Sequence, residues 1–192
     1  MSRLWDISPP VHAGTPVFPG DTAYAQRWSA QIGPGCPVNV GALALSPHVG
    51  ALDLEPYLGP CRVIHAIGLR PLILWEHLAH ATQGLPPRVL VRTYERMPAD
   101  RWDPRLAAFA PDTVEHLADA GVTLIGIDTA SIDPADSKSL PSHQVIRRRG
   151  LRVLENLLLD EVPEGDYELI ALPLKLTTAD ASPVRAVLRG LT

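Results

Sequence analysis

Three residues of this sequence are candidate metal ligands, namely His48, His143 and Glu155. Neutral imidazole and carboxylate are the usual ligands of first-row metal ions outside thiolate sites. His48 follows a short apolar, strand-like run that breaks at Pro47 and continues into a glycine turn. A histidine at a strand end is well placed to bind a metal, because the rigid backbone fixes the direction of the imidazole.

Glu155 stands among apolar residues, with Leu154 before it and Leu157 two positions later. Burying an unpaired carboxylate there would be strongly unfavourable, and a nearby cation or arginine would remove that cost. Each of the three candidate ligands also has a structural explanation when it is considered alone, and their spacing by itself does not identify a metal site.

Other catalytic patterns are missing from the sequence. It contains no HExxH, no GxSxG nucleophile elbow and no glycine-rich phosphate loop. Phe18 lies between prolines on a predicted loop, where it either covers the edge of the core or forms one wall of an aromatic-binding pocket. Composition favours the first role. The three arginines at 147–149 predict a solvated helix face, with carboxylate binding as a weaker alternative.

Composition excludes several classes of partner. The 192 residues are 46% hydrophobic and 20% charged, which permits a normal globular core. A net charge of -4 argues against a nucleic-acid partner or an anionic membrane surface. No apolar run is long enough to span a bilayer, and residues 1–7 do not resemble a signal peptide. Two cysteines outside any CxxC pattern favour a reducing, cytoplasmic compartment.

The elements that must position these residues are short. Twenty prolines and fourteen glycines indicate many short strands and turns. The clearest predicted helix covers 111–121, with Asp112 or Thr113 as its cap and Gly121 at its end. The apolar run 122–128 predicts a strand buried on both faces, ending at Asp128. Further helices are expected at 76–83 and 143–149. The sequence therefore predicts one α/β domain with a mixed sheet over residues 1–192.

Several stretches along almost the whole chain resemble the bacterial kynurenine formamidases, which belong to the cyclase-like metal-dependent hydrolases. The stretches that carry the resemblance are 4–8, 15–21, 27–28, 32–40, 45–48, 57–64, 125–129 and 169–176. The resemblance implies a swivelling β/β/α fold, two zinc ions per subunit, a homodimer, and hydrolysis of the aryl formamide N-formylkynurenine to kynurenine and formate. By position, His48, His143 and Glu155 resemble zinc ligands, and Phe18 stands where the family has a substrate-contacting tryptophan.

The sequence departs from the family immediately after His48. The family continues as H-x-G-x-H-x-D-x-P-x-x-H, which supplies two more zinc ligands and the histidine that acts as general acid/base. Here Leu52, Leu54 and Leu58 stand where the second histidine, the aspartate and the catalytic histidine are expected. Compared with the family, a segment is therefore missing between Ala51 and Leu52, and no catalytic residue is assigned.

Two interpretations of the missing segment remain open. In the first, the protein contains this loop, which went unobserved because it is flexible without metal, and the protein is a zinc-dependent arylformamidase. We favour this interpretation, because the sequence stays family-like on both sides of the junction. In the second, the deletion is real and the chain is a metal-poor, non-catalytic binding homologue, with Asp53 as a weak substitute ligand. A related cyclase-like hydrolase of another amide or lactam is a further alternative.

Overall fold

The computed structural model describes residues 2–12, 15, 26–30, 40–43, 52–98, 100–176 and 181–191, with only the backbone described in 26–30 and 40–43. Phe18, His48 and Ala51 lie outside the described residues. The predictions that concern these three positions are therefore not tested by the structure.

Among the described residues seven strands form one mixed sheet, and the prediction of a mixed sheet is confirmed. In chain order these strands are β1 (Leu4–Asp6), β4 (Leu58–His65), β6 (Arg88–Arg92), β8 (Leu124–Ile127), β9 (Arg152–Leu154), β10 (Gly165–Ile170) and β11 (Val187–Gly190). Their order across the sheet is β1-β11-β10-β4-β6-β8-β9. The half from β1 to β4 is antiparallel, and the half from β4 to β9 is parallel.

Two small sheets and three helices complete the described elements. Strands β2 (Gln26–Ala30) and β3 (Val40–Leu43) pair antiparallel, and β5 (Leu72–Ile73) pairs parallel with β7 (Ala108–Phe109). The helices are α1 (Trp75–Leu78), α2 (Pro111–Asp119) and α3 (Pro141–Arg149). No helix of the described part of the chain is long and apolar enough to cross a membrane.

The main sheet separates two apolar clusters. Val89 and Val91 of β6 belong to the cluster that includes α2 and α3, whereas Leu90 between them belongs to the other cluster. This alternation follows from the two-residue period of a strand. All four residues of β8 are buried, which confirms the prediction of a strand covered on both faces.

Several element boundaries differ from the prediction. Helix α2 starts at Pro111 after Ala110, and neither Asp112 nor Thr113 caps it. Proline suits the first helical position because its φ is fixed and it has no N–H to satisfy, so the helix begins at residue 111 as predicted but without the predicted cap, and it ends at Asp119. The Thr113 hydroxyl instead donates to the Ile73 carbonyl at 2.9 Å. The helix predicted over 76–83 is only α1 followed by a 3₁₀ turn at Ala79–Ala81.

Candidate metal centre

The parallel strands bring the two described candidate ligands to one edge of the sheet. Strands β8 and β9 are neighbours and end at the same edge. Glu155 directly follows β9, and the loop after β8 leads to helix α3, in which His143 is the third residue. Active sites of α/β folds form where the carboxyl ends of parallel strands meet. His143 and Glu155 were predicted together from sequence, and the fold places them together.

The imidazole of His143 is held by a buried carboxylate. Its Nδ1 lies 2.7 Å from Oδ2 of Asp133, which is fully buried. Asp133 also accepts the backbone N–H groups of Ser142 and His143, at 2.8 and 3.0 Å. An ionised carboxylate can only accept hydrogen bonds, so Nδ1 donates to Asp133, and in the neutral imidazole Nε2 then keeps its lone pair. This is the arrangement that orients a metal-binding histidine.

The carboxylate of Glu155 faces Nε2 of that imidazole. Its Oε1 accepts the N–H of Ile132 at 2.8 Å and lies 3.5 Å from Nε2 of His143. The side chains of His143 and Glu155 are 33% and 28% exposed, so both remain accessible. A separation of 3.5 Å is long for a hydrogen bond. It matches the roughly 3.4 Å expected between two ligands that each lie about 2.0–2.1 Å from one tetrahedral zinc ion.

The described pair fits part of a metal site. Within the described ranges no group of three or more His, Cys, Asp or Glu side chains is arranged to hold a metal ion. His143 and Glu155 supply two ligands, whereas a catalytic zinc ion usually has three from the protein. His48, the third candidate, lies outside the described residues. The donor set of this chain therefore suits one ion, with the third ligand still a prediction.

A family model described as "Putative cyclase" (Cyclase) matches residues 5–134, which is more than half of the chain. The chain belongs to the Cyclase family.

Relatives of this Cyclase family member match it along its full length. It is 72% identical over 207 residues to a kynurenine formamidase of Paracidovorax citrulli, covering 97% of this chain and 96% of that one. It is 62% identical over 208 residues to the kynurenine formamidase of Bordetella pertussis, with both chains fully covered. A solved "Potential Metal-Dependent Hydrolase With Cyclase Activity" superposes with a TM-score of 0.84 at 24% identity, covering both chains completely. This likeness shows that the fold is cyclase-like, as predicted.

The relatives are longer than this member of the family. The 208 positions aligned with the Bordetella pertussis protein exceed the 192 residues of this chain by 16. A stretch of the relative therefore has no counterpart here. In this sequence Ala51 is followed directly by Leu52.

Sequence analysis did not identify Asp133 as part of the site. The available signal was its position in a polar loop between a buried strand and the start of a helix, where a carboxylate is stabilised by the helix N-terminus. That signal is too common to select one aspartate. Only the structure shows that the same carboxylate binds both the helix N-terminus and the imidazole of His143.

Asp128, at the end of β8, has a different role from the one that its position suggests. Its carboxylate is fully buried and accepts the N–H groups of Thr93 and Tyr94 at 2.8 and 2.9 Å, and the Thr93 hydroxyl at 2.6 Å. Burial raises the pKa of Asp128 to about 6, against the lowering effect of these hydrogen bonds. Asp128 thus joins the ends of β6 and β8 through hydrogen bonds and has a structural role beside the site.

The arginines of α3 pair with the neighbouring helix. Arg148 and Arg149 form ion pairs with Glu115 of α2, and Arg149 also binds Asp119 at 2.6 Å. These groups lie on the protein surface, as the predicted solvated helix face implies. They form a contact between α2 and α3 and contribute nothing to the metal centre.

Proposed function

We propose that this chain hydrolyses N-formylkynurenine to kynurenine and formate, using a metal ion held by His143, Glu155 and His48. The observation that carries the proposal is the 72% identity to a kynurenine formamidase over nearly the whole chain. The 3.5 Å separation of His143 Nε2 and Glu155 Oε1 supports it independently of the relatives. The proposal includes zinc as the ion, a homodimer, a cytoplasmic location, and Phe18 as a ring that stacks on the aryl group.

The described residues divide the work of holding the ion. Asp133 fixes the ring of His143 so that Nε2 presents its lone pair, and the N–H of Ile132 orients the carboxylate of Glu155. When bound, a metal ion of this kind supplies Lewis acidity and an activated water at neutral pH. Departure of the arylamine also needs a proton donor. No residue of the described part of the chain is assigned that role.

One observation favours a second function. The 16 positions of the Bordetella pertussis relative that are missing here correspond in our proposal to the segment between Ala51 and Leu52. Two metal ligands and the general acid/base would be lost with that segment. A chain without them would bind a metal weakly and would act as a non-catalytic homologue that binds aryl ligands. The two-ion site implied by the family resemblance likewise needs the missing residues.

Turnover and metal content test the proposal together. The 192-residue chain is supplied with zinc and N-formylkynurenine, and kynurenine absorbance and formate are followed with time. We expect zinc-dependent product formation that is abolished in His143→Ala and Glu155→Gln. The matched control is His116→Ala, because His116 is an exposed histidine on α2 away from the sheet edge.

The outcomes separate the two functions. Zinc binding and turnover that survive His143→Ala would show that the ligand assignment is wrong. Absence of turnover in both this chain and a chain carrying the segment from the Bordetella pertussis relative would overturn the formamidase proposal. Turnover only in the chain that carries the segment would establish the non-catalytic function for the chain as it stands.

A further inference from the structure

A partly open aromatic cavity borders the candidate metal centre. It has a volume of about 160 Å³, and Asn156, the residue after Glu155, forms part of its wall. Aromatic and apolar side chains form most of the remaining wall, among them Tyr94, Trp102 and Leu106. An apolar cavity of about 150 Å³ is large enough to hold one benzene ring. The cavity thus has the size and the surface for a single aryl group.

One cationic side chain lines this cavity. Arg101 forms part of the wall and is exposed, and in the described part of the chain its guanidinium has no ion pair or hydrogen bond. An arginine whose five N–H donors are not used within the protein can bind a carboxylate in a bidentate manner. Arg101 is therefore available to a carboxylate on the ligand.

The two acidic residues that line the cavity with Arg101, Asp103 and Asp128, are already compensated. Asp103, on the same wall, binds Arg70 at 2.8 Å and accepts the Tyr94 hydroxyl at 3.1 Å. Asp128 is fully buried beneath the cavity and is bound by Thr93 and Tyr94. Arg101 is left as the side chain with uncompensated charge on the described wall. The cavity should accordingly attract an anionic substituent.

We infer that Arg101 and the aromatic cavity form the subsite that recognises the amino-acid end of the substrate, with the carboxylate on Arg101 and the aryl ring against Trp102. This inference rests on the proposed function for the identity of the ligand. Kynurenine and N-formylkynurenine both carry an aryl ring and an α-carboxylate, whereas a simple aryl formamide lacks the carboxylate. Arg101 then determines specificity and takes no part in bond cleavage.

Binding of the product tests the subsite without requiring catalysis. Kynurenine and 2′-aminoacetophenone, which has the same aryl ketone without the amino-acid end, are titrated calorimetrically into the full chain. We expect Arg101→Gln to weaken kynurenine binding roughly tenfold or more, because a charge-assisted hydrogen bond is lost. The same change should leave 2′-aminoacetophenone binding unaltered.

Arg96→Gln is the matched control. Arg96 is also an exposed arginine without a partner in the described residues, but it lines the adjacent wider groove and does not reach the aromatic cavity. The inference is overturned if Arg96→Gln and Arg101→Gln weaken kynurenine binding equally. It is also overturned if Arg101→Gln weakens both ligands alike, or if the wild-type chain does not bind kynurenine.

Turnover measurements distinguish failure of the inference from failure of the proposed function. Hydrolysis of N-formylkynurenine with a KM unchanged by Arg101→Gln would refute the subsite and leave the formamidase function intact. Arginine-dependent binding of kynurenine without hydrolysis by any form of the chain would refute the function and leave the subsite intact. Arg101→Lys should restore part of the affinity, since a point charge is retained.

Discussion

At the scale of single residues, Asp133 determines how His143 can act. Its buried carboxylate satisfies two backbone N–H groups at the start of α3 and the Nδ1–H of the imidazole. The same side chain therefore stabilises the helix and fixes the ring. His143 and Glu155 could be predicted from sequence because their types and family positions are distinctive. Asp133 could not, because its role depends on a contact across a folded loop.

Replacing Asp133 tests this dual role. In Asp133→Asn the amide NH₂ would face an N–H donor, and His143 would lose its orienting carboxylate. We expect zinc affinity to fall about 10–100-fold, together with a lower melting temperature. Competition with a chromophoric chelator and thermal unfolding measure the two effects. Asp136 is an exposed loop residue nearby, so Asp136→Asn should change neither the zinc affinity nor the melting temperature. Unchanged zinc affinity in Asp133→Asn would contradict the orienting role.

Asp128 predicts a pH dependence of stability. Its pKa is raised from 3.8 to about 6 by burial in the folded state, whereas the unfolded chain has the ordinary value. Between about pH 4 and 6 the folded state thus binds more protons, so the unfolding free energy due to this group falls as pH rises. Relative to Asp128→Asn, the wild type should lose on the order of 2–3 kcal/mol between pH 4 and 7.

Urea unfolding of both proteins across this pH range measures the Asp128 effect. A difference in unfolding free energy that stays constant from pH 4 to pH 7 would contradict the raised pKa. A difference that grows in favour of the wild type with rising pH would mean that the hydrogen bonds from Thr93 and Tyr94 outweigh burial.

At the scale of elements, strand β8 was predictable and the cap of helix α2 was not. The run of apolar residues from 122 specifies a strand covered on both faces, and the structure has one at Leu124–Ile127. The start of α2 depends on Pro111 and on the contact between Thr113 and Ile73, which joins distant parts of the chain. Such boundaries follow from tertiary contacts that local sequence does not contain.

Gly126 in β8 leaves room for the buried side chains of Leu90 and Leu157. A Cβ there would overlap with Leu90 Cδ2 and lie 2.8 Å from Leu157 Cδ1. Both leucines are buried. Gly126→Ala should therefore lower the unfolding free energy by about 1–3 kcal/mol through overpacking. In the double variant with Leu90→Ala, the loss should be smaller than the sum of the single losses. Strict additivity in urea unfolding would contradict this packing account.

At the scale of the whole molecule, the chain has the seven-stranded sheet, with His143 and Glu155 at one edge, but it is shorter than its relatives. In our proposal the missing positions follow Ala51, where the family resemblance implies two ligands and the general acid/base. General acid/base catalysis contributes about 10²–10⁴-fold to a rate. A chain carrying the corresponding segment of the Bordetella pertussis relative should hydrolyse N-formylkynurenine faster than this chain by about that factor. Equal rates would show that the segment is not catalytic.

For the molecule as a whole, the sequence predicted the fold and the candidate ligands but not the aromatic cavity. Family-like stretches distributed along the chain predicted the cyclase-like fold and indicated the two described candidate ligands, because sheet strands and metal ligands require particular residues at particular places. Composition could not identify the aromatic cavity beside Asn156. Its wall is assembled from loops that are distant in sequence, with Pro9 and Trp102 on the same wall.

The most direct test of the account is the rate of kynurenine formation as zinc is titrated into the metal-free chain. The account predicts a rate that starts at background and saturates with zinc, and a His143→Ala rate that stays at background because a ligand of the ion is missing. A rate that does not depend on zinc, or a His143→Ala curve that superimposes on the wild-type curve, would contradict the assignment of His143 and Glu155 as the ligands of a hydrolytic metal.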